Sequence, residues 1–111
     1  MKKSLIFLLI LLSFTNVYSQ TAAKQDALVL YNNGKLREAI KVCEDELLEN
    51  PNRVDSYVVM CWALVKNKQY AEAEQRATEG LVVSPYDLRL IEILGEAKYY
   101  LGKNSGAMEQ F

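Results

Sequence analysis

The sequence predicts an all-α fold, an α-solenoid in which antiparallel helix pairs stack on one another. Three observations predict it. The two prolines of the 111-residue chain, Pro51 and Pro85, lie 34 residues apart. Small residues recur at the same interval, with Ala39, Ala73 and Ala107 in register. Between the prolines, apolar residues recur at steps of three and four, as on one face of an α-helix. Such a period is typical of two-helix units that bury their apolar faces only by stacking.

The first unit, residues 20–53, is predicted to hold two helices separated by a turn at Asn33-Gly34. Both residue types tolerate the left-handed backbone that ends helices. The second helix is expected to end at Asn50-Pro51, because a proline disfavours helical geometry in the residue before it. The two apolar stripes are Ala23, Ala27, Leu30 and Tyr31, then Leu36, Ala39, Ile40, Cys43, Leu47 and Leu48.

The second unit, residues 54–87, repeats this pattern, and the third, residues 88–111, is incomplete. The stripes of the second unit are Tyr57, Met60, Cys61, Leu64 and Val65, then Tyr70, Ala73, Ala77, Leu81 and Val82. The third unit begins with Ile91, Leu94, Gly95 and Ala97, and a helix stop is expected at Gly102. About two turns follow, ending on Phe111. An uncovered apolar end of this kind indicates the front of a longer protein or one half of a homodimer.

Residues 1–19 are predicted to be a cleavable signal peptide. Lys2 and Lys3 form a positive start, residues 5–12 are unbroken apolar sequence, and Ser19 is the small residue before the expected cleavage site. The alternative is an uncleaved anchor, but the apolar run is far shorter than the roughly 20 residues that cross a bilayer. Gln20 stands where a lipoprotein needs cysteine. We therefore expect an exported protein, periplasmic or secreted in a bacterial-type envelope, with no stable membrane insertion after cleavage.

The charge pattern argues against nucleic acid as a partner. Removal of residues 1–19 takes away two lysines and no acid, which leaves 11 basic residues against 14 acidic ones and a net charge of −3. The remaining lysines and arginines are interspersed with glutamates, whereas a phosphate-binding surface needs them clustered. Mixed signs of this kind are typical of solvated helix faces.

Reactive groups are sparse, so we expect no enzyme, no metal and no cofactor. Histidine is absent, which removes the commonest general base and metal ligand. Gly102-Lys103-Asn104 fails the phosphate-loop pattern, because serine or threonine must follow the lysine. Glu92 and Glu96 share one helical face and could serve acid–base chemistry, but a solvated or groove-lining pair is the commoner arrangement.

Cys43 and Cys61 allow two interpretations. If the helix before Pro51 folds back against the helix after it, the two side chains reach similar heights on adjacent antiparallel helices, so a disulfide is geometrically feasible. Export to an oxidising compartment favours a bridge. Against it, the Cα atoms of packed helices are often too far apart, which leaves two small buried residues that happen to be cysteine.

The repeat resembles the tetratricopeptide repeat (TPR) over essentially all of residues 20–111. The resemblance is carried by the 34-residue period, the glycines at 34 and 102, Tyr70 after its turn, the alanines at 39, 73 and 107, and the prolines that end two units. Leu94-Gly95 matches the family's leucine-glycine pair. Asp26 and Glu46 depart from the pattern, which usually has an apolar residue and alanine at these positions.

The resemblance implies a concave surface made by the first helix of each unit, where members of the family bind ligands. Carried over by position, the ligand-binding residues are Lys24, Leu28 and Tyr31, then Val58, Trp62 and Lys66, then Glu92, Glu96 and Tyr99. The alternative for Trp62 and the tyrosines is ordinary core packing. Leu28 and Trp62 stand where the carboxylate-gripping members of the family have asparagine, so that specificity is not expected.

The expected function is a non-enzymatic protein-protein interaction module of the cell envelope that binds a peptide or partner protein on its concave surface. An aromatic-centred groove with an acidic flank suits an extended peptide or an amphipathic helix. The alternative is a structural assembly element that oligomerises through the end near Phe111, or the N-terminal part of a longer TPR protein.

Overall fold

The computed structural model describes residues 26–104, with side chains described as far as Lys103. Five α-helices and no strand occupy this part of the chain, which confirms the all-α prediction. They are α1 (Ala27–Asn32), α2 (Leu36–Glu49), α3 (Val54–Lys66), α4 (Tyr70–Val83) and α5 (Leu88–Asn104). The predicted signal peptide, Lys24, and the segment from Ser105 to Phe111 lie outside the described residues.

The turns inside the first two units have the same backbone geometry at positions 34 residues apart. Asn33 and Asn67 have φ/ψ of −87°/5° and −85°/7°. The next residues, Gly34 and Lys68, adopt positive φ values of 78° and 62°. The amide of each donates to a carbonyl three residues earlier at 3.0 Å. This left-handed helix end is the one that the sequence predicts at Asn33-Gly34.

Helix boundaries repeat at the same interval. Both α2 and α4 contain 14 residues, and α4 begins and ends 34 positions after α2. Both end in extended backbone, with φ/ψ of −141°/93° at Asn50 and −137°/86° at Ser84. These residues precede Pro51 and Pro85, and the proline ring excludes helical geometry in the residue before it. The 34-residue period of the sequence is therefore a period of the backbone.

The expected helix stop at Gly102 is wrong. Helix α5 continues through Gly102 to Asn104, whereas the equivalent positions, Gly34 and Lys68, lie just beyond the ends of α1 and α3. Glycine permits the left-handed conformation but does not impose it. Conversely, Lys68 adopts that conformation without being glycine, so neighbouring packing, rather than residue type alone, decides where these helices end.

Small residues lie where the two helices of a unit meet. Ala39, Ala73, Ala77 and Cys61 are completely buried. The Cys61 thiol on α3 lies 3.9 Å from the carbonyl oxygen of Ala73 on α4. Side chains of this size let helix backbones approach closely, and larger ones would hold them apart. Cys61 and Ala73 thus meet where the two helices of the second unit pack against each other.

Gly80 marks a second close approach. A Cβ atom added to it would lie 2.8 Å from Cδ1 of Leu90 and 3.0 Å from Cβ of Tyr57. Distances below 3.0 Å do not occur at real Cβ atoms, so something would have to move. Gly80 therefore lets α4 touch α3 and α5 at one point, which connects the second unit to the third.

The helices form an inner and an outer row. Helix α3 packs against both α1 and α5, so the first helices of the three units are neighbours. The second helices, α2 and α4, stay apart, with no Cα atoms within 8 Å of each other in the described part of the chain. Because the first helices pack closely and the second helices stay apart, the stack curves. The first helices, α1, α3 and α5, are the inner row and form its concave face. Two buried clusters hold the row together, one with residues of all five helices and one formed by α3, α4 and α5.

The left-handed conformation of Lys68 predicts that Lys68→Gly stabilises the fold. The substitution relieves the clash between Cβ and the following carbonyl, so the free energy of unfolding should rise by about 1 kcal/mol. Urea denaturation monitored by circular dichroism measures it. Lys98→Gly is the matched control, because Lys98 is exposed inside α5 and glycine there should lower the free energy of unfolding by about 1 kcal/mol. Destabilisation by both variants would contradict the prediction.

Candidate functional site

Trp62, the single tryptophan of the chain, lies on the inner helix α3 between two open cavities. Its side chain is half-buried and lines both of them. One cavity is rich in aromatic side chains and is called the aromatic cavity below. The other is lined by charged groups on one side and is called the polar cavity. Together they occupy the concave face described above.

The aromatic cavity has a volume of about 320 Å³. Four rings line it, with two apolar side chains and two charged ones: Tyr31, Trp62, Tyr70 and Tyr100, then Val65 and Ile93, then Lys66 and Glu96. These residues come from α1, α3, α4 and α5, so the cavity exists only when the units are stacked.

The rings of the aromatic cavity hold one another in place. Those of Tyr70 and Tyr100 stack, with centroids 4.8 Å apart and planes inclined by 16°. The rings of Tyr31 and Trp62 are 6.0 Å apart and tilted by 35°. Tyr99 meets Tyr100 edge-on at 5.3 Å. Pairs of this geometry stabilise each other beyond the area they bury, so the cavity walls are preorganised.

Two opposite charges flank these rings. The Lys66 ammonium lies 5.1 Å from the centroid of the Tyr31 ring, within the range of a cation–π interaction. Glu96 is exposed on α5. Neither side chain forms an ion pair within residues 26–104. A bound molecule can therefore meet aromatic faces, one cation and one anion in the same cavity.

The polar cavity lies on the other side of Trp62 and has a volume of about 300 Å³. Its charged residues are Asp26, Glu46, Arg53, Asp55 and Arg89. Its other lining residues are Ser56, Ala27, Leu28, Val58, Val59 and Trp62. Most come from the first turns of α1, α3 and α5, which lie side by side in the inner row.

Ion pairs fix both arginines at the rim of the polar cavity. Arg89 donates to Asp87 at 2.8 Å and to Asp55 at 3.2 Å, and Arg53 lies 2.8 Å from a Glu46 oxygen. The hydrogen bonds from Arg89 lower the pKa of the Asp87 carboxyl, and the same bonds raise the pKa of Arg89. The Arg89–Asp55 bond joins equivalent positions of consecutive units, 34 residues apart.

Six of the predicted ligand-binding residues line the two cavities. Leu28 and Val58 lie in the polar cavity, Tyr31, Lys66 and Glu96 lie in the aromatic cavity, and Trp62 lies in both. The structure thus brings together residues of all three units that the sequence placed on one surface.

The predicted residues differ in how far they are accessible. Val58 lines the polar cavity but is only 1% exposed, so most of its side chain belongs to the core beneath that cavity. It lies on the side of α3 that packs against α5. Glu92 is exposed outside both cavities, and Tyr99 supports the aromatic cavity only through its contact with Tyr100. Lys24 lies outside the described residues.

Sequence reasoning missed several lining residues. Tyr100 stands 34 positions after Lys66, so applying the period to Lys66 finds it. Tyr70 opens an outer helix, and its reach into the concave face depends on stacking against Tyr100. In the sequence, Asp26 and Glu46 indicate the polar cavity. Both depart from the family's pattern, and both line this cavity.

Cys43 and Cys61 are free thiols in the structure, and both are completely buried. Of the two interpretations, the structure has two small core residues and no bridge between them. Cys43 packs in the larger buried cluster, which contains residues of all five helices, and Cys61 in the smaller one, formed by α3, α4 and α5. Burial raises the pKa of each thiol to about 12.

Comparison with models of known protein families found no match, and none of the curated proteins matches the chain. Across the part of the chain that the structure describes, no helix combines the length and the apolar content that a membrane span needs.

The buried thiols predict a loss of stability at alkaline pH. Their pKa is raised in the folded protein, so above pH 9 the unfolded chain loses protons that the folded chain keeps. The contribution of the protonated thiols to the free energy of unfolding is complete below pH 9. It is lost as the pH rises towards 12, by up to about 1.4 kcal/mol per pH unit for each thiol. Urea denaturation at pH 8, 9 and 10 measures it.

The control for this prediction is the double variant Cys43→Ala/Cys61→Ala. The two proteins differ only at the two cysteines, so the difference between their pH profiles isolates the thiols. Parallel profiles between pH 8 and 10 would show that the thiols do not contribute.

Proposed function

We propose that this chain is a TPR-type interaction module, without enzymatic activity, that binds a peptide segment of a partner protein along its concave face. We further propose that it acts in a bacterial-type cell envelope after removal of residues 1–19. The export proposal rests on the charged start and apolar run of the leader, and the family proposal on the 34-residue period of helices and turns.

The placement of Trp62 is the observation that carries the binding proposal. Leu64 and Met60 on the same helix are fully covered and belong to the core. Trp62 is instead half-buried at the junction of two cavities, with a ring of Tyr31 beside it. Large, rigid side chains in such positions contribute most of the binding energy at protein interfaces.

The shape and chemistry of the face support a peptide as the ligand. The two cavities adjoin through Trp62, so an extended segment lying across α1, α3 and α5 can place one side chain in each. The aromatic cavity, with its four rings, suits an aromatic or large apolar side chain. Lys66 and Glu96 can meet the carbonyl and amide groups of the main chain.

An assembly element is the second candidate. It is favoured by the outer side of α5, where Ile91 is 45% exposed and Gly95 has no described atom within 4 Å of a built Cβ. In the preceding units the positions equivalent to Gly95 are Ala27 and Cys61, and both are buried. A second copy of the chain covering this side of α5 would produce a homodimer.

The binding proposal is tested with a displayed library of random peptides selected on the purified protein lacking residues 1–19. We expect selection of peptides with a recurrent aromatic or large apolar residue. Their affinity should fall at least tenfold for Trp62→Ala, because that substitution removes the wall shared by both cavities. Calorimetric titration measures the affinity.

Tyr86→Ala is the matched control, because Tyr86 is 89% exposed and lies outside both cavities. Thermal unfolding verifies that both variants fold, and Glu96→Lys tests the cavity without removing a ring. Equal affinity of the wild type, Trp62→Ala and Glu96→Lys for the selected peptides would rule out the concave face. Light scattering of the same samples tests the second candidate, which requires a dimer.

A further inference from the structure

The polar cavity occurs where the repeat changes two residues. In the third unit, Leu90 is fully buried against Gly80. The equivalent positions, 34 residues earlier, are Ser56 in the second unit and Glu46 in the first, and both line the polar cavity. A serine in place of a leucine leaves space, and a glutamate in place of a glycine adds charge. The chain thus holds a cavity where its own repeat places a packed apolar contact.

Ser56 is the strongest sign that this cavity holds a ligand. The residue is only 3% exposed, and its hydroxyl has no hydrogen-bond partner among the described residues. Buried hydroxyls in folded proteins almost always have a partner, because leaving one unsatisfied costs about 1–3 kcal/mol. The oxygen itself is covered, so a ligand must displace the side chains around it to donate a hydrogen bond to Ser56, and that bond removes the cost.

The charges of the polar cavity favour a cationic ligand. Three carboxylates face two guanidinium groups, and both guanidinium groups already lie against carboxylates. The carboxylates, unlike the guanidinium groups, therefore keep oxygens that can accept hydrogen bonds from a ligand. Asp26 accepts a hydrogen bond from the Leu28 amide at one oxygen, and Asp55, whose side chain is 71% exposed, meets Arg89 through one oxygen. Acids at helix starts are explained by the helix dipole alone, so the argument depends on their adjacency to Ser56.

The uncharged wall completes the site. Leu28, 43% exposed, and the half-buried Trp62 face the same cavity. An aliphatic stem that ends in a cation fits such a cavity, because the stem covers apolar surface while the charged end reaches the acids. We infer that the polar cavity receives a basic side chain, arginine or lysine, from the peptide bound on the concave face. The stem lies on Leu28 and Trp62, and the cation binds between Asp26, Asp55 and Ser56.

This inference rests on the proposed function, but its test separates the two. N-acetyl-arginine amide is titrated into the protein while the fluorescence of Trp62 is recorded, since no other tryptophan contributes. We expect a saturable change with a dissociation constant of about 1 mM, as for a small ligand in an open cavity. N-acetyl-citrulline amide has the same shape without the charge and should bind at least tenfold more weakly. Tighter binding of N-acetyl-glutamate amide than of the arginine probe would overturn the inference.

Two variants test the named residues. Ser56→Ala should weaken binding of the arginine probe at least threefold while raising the melting temperature of the free protein, because it removes an unsatisfied buried hydroxyl. A merely structural serine would change the melting temperature alone. The double variant Asp26→Asn/Asp55→Asn should weaken binding of the arginine probe at least tenfold. Asparagine at position 26 still caps α1. Its control is Glu38→Gln/Glu49→Gln, which removes two exposed charges outside the cavity and should leave binding unchanged.

Peptides from the library selection distinguish the two proposals. If selected peptides depend on Trp62 but bind equally to the wild type and to Asp26→Asn/Asp55→Asn, the inference fails and the proposed function stands. If the arginine probe behaves as expected but no peptide depends on Trp62, the cavity binds a basic group and the proposed function fails.

Discussion

The close approach of neighbouring helices at small residues is the constraint on which the rest of this structure depends. Cys61 meets Ala73 within the second unit, and Gly80 lets α4 touch Tyr57 and Leu90 on the helices beside it. These contacts leave no room for larger side chains. They fix how far apart α3, α4 and α5 lie, and thereby the position of every residue on the inner row.

The concave face follows from that spacing. Because the inner helices touch and the outer helices do not, side chains of three units converge on α3. The stacking of Tyr70 on Tyr100 joins an outer helix to the inner face, and the Arg89–Asp55 bond joins equivalent positions of consecutive units. Both contacts depend on the register of neighbouring helices. A shift of one helix relative to its neighbour would separate the rings and the ion pair together.

Departures from the repeat create the chemistry of the face. Where Leu90 of the third unit packs on Gly80 of the second, the equivalent positions one period earlier are Ser56 of the second unit and Glu46 of the first, and both line a polar cavity. Lys68 is another departure from the repeat. It adopts a left-handed backbone conformation that suits glycine better, and glycine stands at the equivalent position, Gly34. In a repetitive chain, each unit serves as the reference against which the others are compared.

The period made the fold predictable, because it specifies helix pairs, turns and the positions of small residues at once. The family resemblance, carried over by position, placed Leu28, Tyr31, Val58, Trp62, Lys66 and Glu96 on one surface, and these residues line the two cavities. Three features could not be predicted from the period, for physical reasons. Val58 is buried because α5 packs over that side of α3, Gly102 stays helical because glycine permits a turn without imposing one, and Tyr70 reaches the face through a contact between distant helices.

The central claim is that packing, and not helix propensity, determines which small residues the fold needs. The most direct measurement compares the free energies of unfolding of Gly80→Ala and Gly95→Ala. Alanine is the better helix former by about 1 kcal/mol, and the positions equivalent to Gly95 already hold alanine and cysteine, so Gly95→Ala should stabilise the protein. Gly80→Ala should destabilise it by about 1–3 kcal/mol, because the new methyl group meets Leu90 and Tyr57. Stabilisation by both substitutions would contradict the account.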